Sequence, residues 1–127
     1  MNYKVLIVDD SKLARMAAIR ALRGCCPDWE YVEARNAADA LSAMEHDAPQ
    51  IALVDFNMPE QNGLQLVAEL RKLDSGMPIA IISANNQQAI LDRTAELHAA
   101  FLSKPLLETA LDAFMKSAAR NLADAAR

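Results

Sequence analysis

Short, dense apolar runs alternate along the chain with longer segments whose apolar residues recur at helical spacing. The runs are Val5-Leu6-Ile7-Val8, Ile51-Ala52-Leu53-Val54 and Ile79-Ala80-Ile81-Ile82, with Ala100-Phe101-Leu102 a weaker fourth. Continuous runs of this kind suit strands covered on both faces of a parallel sheet. Tyr31-Val32-Glu33-Ala34 alternates instead and predicts a more exposed strand.

The intervening segments read as helices. Ser11 can cap one reaching about Arg23, and Asn36 a second reaching about His46. A third runs from Gly63 to Leu73 and a fourth over about Gln87 to Leu97. In the fifth, Leu107, Leu111, Phe114, Met115, Ala118 and Leu122 form one apolar face, while Glu108, Asp112, Lys116, Arg120 and Asp124 step along the opposite one. Pro27, Pro49, Pro59, Pro78 and Pro105 all fall between elements. Strict βα alternation predicts an α/β fold: a doubly wound parallel sheet of five strands with helices on both faces.

The first helix departs from the simple pattern. Ala14, Ala17, Ala18 and Ala21 make a small-residue face suited to close packing on the sheet, with Leu13, Met16 and Ile19 largely off it. Broad burial of the helix is the expectation; an apolar docking patch for a partner is the alternative.

Length and composition narrow the class. A chain of 127 residues, 53% hydrophobic, suffices for one domain with its own core; residues 1–122 are assigned to it and 123–127 to a C-terminal tail, with Asn121 to Arg127 the only candidate linker. The net charge of -4 argues against a nucleic-acid surface. No apolar run approaches the roughly 20 residues that span a bilayer. The N-terminus lacks the pattern of a signal peptide, so a cytoplasmic location is expected. Cys25 and Cys26 are adjacent, and reduced, structural thiols are expected there. His46 and His98 have no partner at zinc spacing and read as solvent-facing.

The polar chemistry lies where the apolar runs stop. The first strand ends in Asp9-Asp10, the third in Asp55, the fourth in Ser83 and the fifth in Lys104. Ligands of open α/β sheets bind beyond the carboxyl ends of the strands, where strand order reverses. The second strand delivers no acid and belongs at the margin, so the order 2-1-3-4-5 is expected. Three carboxylates gathered there would repel one another unless one kept its proton or a cation intervened. An all-oxygen set with room for water suits Mg²⁺. A cation, the Lys104 ammonium and the Ser83 hydroxyl around one carboxylate are what phosphoryl transfer onto that carboxylate requires.

Simpler explanations exist for single features. Asp9-Asp10 could only be acids favoured at a helix N-terminus, Ser83 says nothing alone, and Lys104-Pro105 could be a turn. Asp55 resists such a reading, because a lone carboxylate after Ile51-Ala52-Leu53-Val54 would be buried at a cost.

Together, Val8-Asp9-Asp10-Ser11, Val54-Asp55-Phe56-Asn57-Met58-Pro59 with Gly63, Ile82-Ser83-Ala84 and Phe101-Leu102-Ser103-Lys104-Pro105 resemble the receiver domain of two-component response regulators, from Lys4 to about Leu122. The resemblance implies a flavodoxin-like (βα)5 fold of the chemotaxis-regulator kind. It implies Asp55 as phospho-acceptor, with Asp9, Asp10, Asp55 and the Asn57 backbone carbonyl holding Mg²⁺. Ser83 matches the hydroxyl that moves to the phosphoryl group, Phe101 the aromatic switch residue and Lys104 the phosphate-binding lysine, with a cis Lys104–Pro105 peptide. The phosphoryl source would be a sensor histidine kinase or a histidine phosphotransfer protein. The output would be a changed surface on the fourth helix, fifth strand and fifth helix that signals to a downstream partner, as a monomer or a phosphorylation-linked dimer. Such a protein acts only on itself and has no separate substrate.

Three features depart from the family pattern. Leu97-His98-Ala99-Ala100 lacks the usual glycine, Phe101 replaces the commoner tyrosine, and Asn85-Asn86-Gln87-Gln88 is an unusual amide-rich loop. The same residues speak against other functions. An aspartyl phosphohydrolase would carry D-x-D, whereas Asn57 stands two after Asp55. A nucleotide-binding loop is excluded, since Gly24, Gly63 and Gly76 are the only glycines. A degenerate receiver that only docks a partner conflicts with the complete acidic set. The chain reads as a stand-alone regulator, or as a receiver excised from a longer effector protein.

Overall fold

The structure is a computed structural model that describes residues 2–126. Five strands alternate with five helices: β1 (Lys4–Val8), α1 (Lys12–Cys25), β2 (Glu30–Ala34), α2 (Ala37–His46), β3 (Ile51–Asp55), α3 (Gly63–Leu73), β4 (Ile79–Ser83), α4 (Gln88–Glu96), β5 (Ala100–Ser103) and α5 (Glu108–Ala125). All strands are parallel, in the order β2-β1-β3-β4-β5. Each helix begins where a polar cap satisfies its first N–H groups or where the chain leaves a loop. Ser11 and Asn36 accept from Ala14 N and Asp39 N, and Asn62 forms a reciprocal capping box with Gln65.

The period-two alternation of the strands sorts the core into two halves. Leu6, Val8, Ala52, Val54, Ile79 and Ile81 face α2 and α3, with Ile90 of α4 packed against them. Val5, Ile7, Ile51, Leu53, Ala80 and Ile82 face α1 and α5, through Ala18, Leu22, Leu111 and Met115. Every residue of β3 and β4 is buried, whereas in marginal β2 only Ala34 is, the other four being half-exposed or exposed.

Three differences from the sequence reading are physical. First, α1 is not broadly buried. Leu13 is 78% and Met16 46% exposed, and Ala18 and Leu22 alone are fully buried. Nor does the alanine face pack closely on the sheet: Ala17 is exposed, and Ala14, Ala17, Ala18 and Ala21 instead form one wall of a largely apolar cleft of about 350 Å³ beside Lys104-Pro105-Leu106. Ala18 and Leu22 carry the helix into the core beneath it. Second, α5 continues through Ala125, so Asn121 to Ala125 are part of that helix; Met1 and Arg127 lie outside the described residues. Third, the α4–β5 turn forms without glycine. His98 adopts φ 55, and the Arg71 guanidinium at the end of α3 holds the turn from outside. Its Nε donates to Leu97 O at 2.7 Å and its Nη2 to His98 O at 2.9 Å, with a further bond to Met77 O. One half-buried side chain thus joins α3, the entry to β4 and the exit from α4.

The reading of α1 has a direct check. Leu22→Ala should cost about 2–5 kcal/mol in urea denaturation, as for other large-to-small core changes. Leu13→Ala should stay within about 0.5 kcal/mol of the parent, as for a surface substitution.

Candidate functional site at the carboxyl edge of the sheet

Strand register builds the site. Val8 pairs with Val54, so Asp9, one residue past β1, stands level with Asp55, the last residue of β3. Asp55 pairs with Ile82 and Ser83 with Ser103, which brings Ser83 and Lys104 to the same edge. Backbone bonds fix this edge: Asp9 N donates to Ala34 O, Phe56 N to Ile82 O and Lys104 N to Ser83 O, each at 2.9–3.0 Å.

Asp9, Asp10 and Asp55 each present a carboxylate oxygen within 4.8 Å of the others. Asp55 is buried, Asp9 half-buried and Asp10 exposed. Lys104 Nζ lies 2.6 Å from Asp55 Oδ1. That contact is a charge pair outside hydrogen-bond geometry, so the buried Oδ1 has no hydrogen-bond donor. Burial holds the Asp9 carboxyl above the usual carboxylate range, and the charges of Asp55 and Asp10 push the same way; the Ser11 backbone N–H, bonded to Asp9 Oδ1 at 2.9 Å, and Lys104 oppose it.

A divalent cation fits this donor set. The oxygens are hard ligands, their mutual repulsion is only partly met by Lys104, and one buried oxygen lacks a donor. Asn57 lies exposed in the loop after β3, on the same edge. That loop is tightly made. A Cβ on Gly63 would come 2.4 Å from Asp55 O and 2.9 Å from Phe56 Cα, so only glycine allows α3 to start against the end of β3. Gly63 N also donates to Phe56 O at 2.8 Å.

Ser83 is buried, and its hydroxyl is engaged with the loop that follows. It accepts from Asn85 N at 2.9 Å and donates to Asn85 O at 3.3 Å, while Asn85 Oδ1 accepts from Gln87 N. The amide-rich loop is therefore folded around Ser83, although residues 84–89 are exposed. Phe101 stands apart, half-buried on β5 against the cluster that includes Ile90 and Leu97. The Lys104–Pro105 peptide is cis.

One neighbour escaped the sequence reading. Arg15, mostly buried on α1, donates from Nη1 to Asp9 O at 2.6 Å and from Nε to Glu33 Oε1 at 2.9 Å. It braces the acidic turn against β2 and places a positive charge behind Asp9. No spacing in the sequence signals it, because Glu33 becomes a neighbour only through the β1–β2 pairing.

A parallel sheet in this order, with acids, lysine and hydroxyl gathered at its carboxyl edge, defines a flavodoxin-like α/β module. The model of the response regulator receiver domain matches residues 5–116. The chemotaxis protein CheY of Thermotoga maritima is 33% identical over 107 residues, covering 83% of this chain and 88% of that protein. The transcriptional regulatory protein PrrA of Mycobacterium tuberculosis is 32% identical over 120 residues, 92% of this chain but only 50% of PrrA. The chain thus spans about half the length of that regulator. Among solved structures, a CheY-like receiver domain protein from Methanospirillum hungatei superposes with a TM-score of 0.87 at 21% identity, covering 98% of this chain and 99% of the other. The chain belongs to the response regulator receiver family.

Two outcomes are expected of this geometry. Gly63→Ala should destabilise the fold by about 1–3 kcal/mol, as over-packing against backbone does, measured by urea denaturation. Asp9→Asn should raise the melting temperature of the metal-free protein at neutral pH. Because the Asp9 pKa is raised on folding, its charge disfavours the folded state above that pKa, and the gain from Asn should vanish as pH falls below the ordinary value of 3.8.

Proposed function

We propose that this receiver is a Mg²⁺-dependent phosphorylation switch whose acceptor is Asp55. The observation that supports it most is the buried Asp55 carboxylate, with Oδ1 lacking a hydrogen-bond donor, between the Lys104 ammonium and two further acids.

The donor would be a phosphohistidine of a sensor histidine kinase or histidine phosphotransfer protein. An Asp55 oxygen attacks phosphorus, the phosphorus–nitrogen bond breaks, and the imidazole leaves with a proton, giving an acyl phosphate. Mg²⁺, held by Asp9, Asp10, Asp55 and the Asn57 carbonyl, would offset charge on the phosphoryl oxygens. Lys104 exchanges its carboxylate contact for a phosphoryl oxygen, and Ser83 turns its hydroxyl from Asn85 O to another. Hydrolysis returns Asp55 to its carboxylate, so the chemistry is confined to the chain's own side chain and no separate substrate is turned over.

The phosphoryl group adds about 1.5–2 negative charges at a buried point. Movement of Ser83 loosens the β4–α4 loop, and Phe101 gains room to turn inward by packing alone, since it has no hydroxyl. The surface of α4, β5 and α5 then changes for a downstream partner. A preference of about 3–5 kcal/mol for that form moves the population from mostly off to mostly on. Exposed Leu13 and Met16, near the N-terminal end of α1, offer an apolar patch on which the phosphoryl donor can dock.

Intact mass after incubation with acetyl phosphate and Mg²⁺ tests the reading. One acid-stable, base-labile phosphoryl addition is expected, absent with EDTA and absent from Asp55→Asn. Addition that survives Asp55→Asn would move the acceptor. No addition to the folded protein would leave a docking module independent of phosphate.

A further inference from the structure

At the opposite end of α1, Cys25 and Cys26 turn their sulfurs toward each other. The two Sγ atoms are 3.5 Å apart, and both thiols are half-exposed. They open onto a cavity of about 240 Å³ that Pro27, Trp29, Met115 and Lys116 help to line. The backbone around them is fixed: Cys26 N donates to Leu22 O at 2.7 Å, and Tyr31 Oη donates to Cys26 O at 2.6 Å. Trp29 is set edge-on against Tyr3, with ring centroids 5.2 Å apart.

A disulfide is not the natural use of this pair. Neighbouring Cα atoms lie closer than ordinary disulfide geometry allows, so direct bonding would strain the peptide. An atom seated between the sulfurs enlarges the ring and removes that strain. Its chemistry follows from what surrounds it. Two thiols, both soft ligands, open onto the cavity, and Met115 and Asp28 are among the residues that line it. A tetrahedral zinc site would need further nitrogen, sulfur or oxygen ligands. Among the described residues, the only group of three or more His, Cys, Asp or Glu ligand atoms close enough to share an ion is the acidic one at the other end of the sheet.

We propose that Cys25 and Cys26 form a dithiol chelate for a soft cation of low coordination number, of the copper(I) class, in the cavity between the end of α1 and α5. Each thiol releases its proton to solvent as its sulfur–copper bond forms. Burial and the neighbouring Cys25 thiol push Cys26 up to about 12, so Cys26 holds its proton until the ion displaces it. The resulting negative charge lies beside the Lys116 ammonium, which is paired with Asp112 at 2.8 Å.

The test is anaerobic titration of the full chain with copper(I) against a competing chromophoric chelator, followed by the emission of Trp29, the only tryptophan. One copper per monomer, with quenching of Trp29, is expected. Both should be lost in the Cys25→Ser/Cys26→Ser double variant and unchanged in Asp55→Asn. In the unaltered chain, bound copper should slow alkylation of both thiols at least tenfold, a readout that needs no variant to fold. Failure to compete for copper, unchanged alkylation, uptake surviving in a folded double variant, or one copper shared between two chains would each overturn the proposal.

Discussion

Three carboxylates gathered within 4.8 Å at the ends of two adjacent strands are the constraint around which this fold is arranged. The β1–β3 register, which pairs Val8 with Val54, sets Asp9 level with Asp55, so their proximity is built into the backbone. The structure answers their repulsion with two cationic side chains and one backbone donor. Lys104 approaches Asp55 from β5, Arg15 braces the Asp9 carbonyl from α1, and the Ser11 N–H bonds Asp9 directly. Burial, with the charges of Asp55 and Asp10 adding to it, holds the Asp9 carboxyl above its ordinary range. Three carboxylates facing one lysine make a donor set suited to a cation.

The same arrangement couples the site to the rest of the domain. Ser83 is buried at the end of β4 yet bonded to Asn85, so any change in its partner is felt first by the β4–α4 loop. At the other end of α4, Arg71 ties the Leu97–His98 turn to α3 and to the start of β4. α4 is thus anchored firmly at its C-terminus and lightly at its N-terminus, where Gln87 provides no side-chain cap.

Most of the fold was legible in the sequence because buried parallel strands write themselves as continuous apolar runs, as in Ile51–Val54 and Ile79–Ile82. Asp9, Asp10, Asp55, Ser83 and Lys104 were legible for the same reason: each interrupts or follows such a run at one end. The helices were less so. Leu13 and Met16 look like core residues in composition, yet α1 buries only a narrow stripe, and the alanines beside it leave a cleft instead of closing one. Arg15, Asn85 and Arg71 act through backbone carbonyls and long-range neighbours, which carry no residue-type signature. The missing glycine before β5 was visible, but its compensation was not: His98 bears the positive φ, and the residue that secures the turn is 27 positions earlier.

The central claim is that a divalent cation relieves the repulsion among Asp9, Asp10 and Asp55. Thermal unfolding of the metal-free protein across a Mg²⁺ titration tests it most directly. The melting temperature should rise with Mg²⁺ and saturate as one site fills. An unchanged melting temperature, at Mg²⁺ concentrations well above those that saturate receiver sites in general, would contradict the account and leave the acidic edge balanced by Lys104 and Arg15 alone.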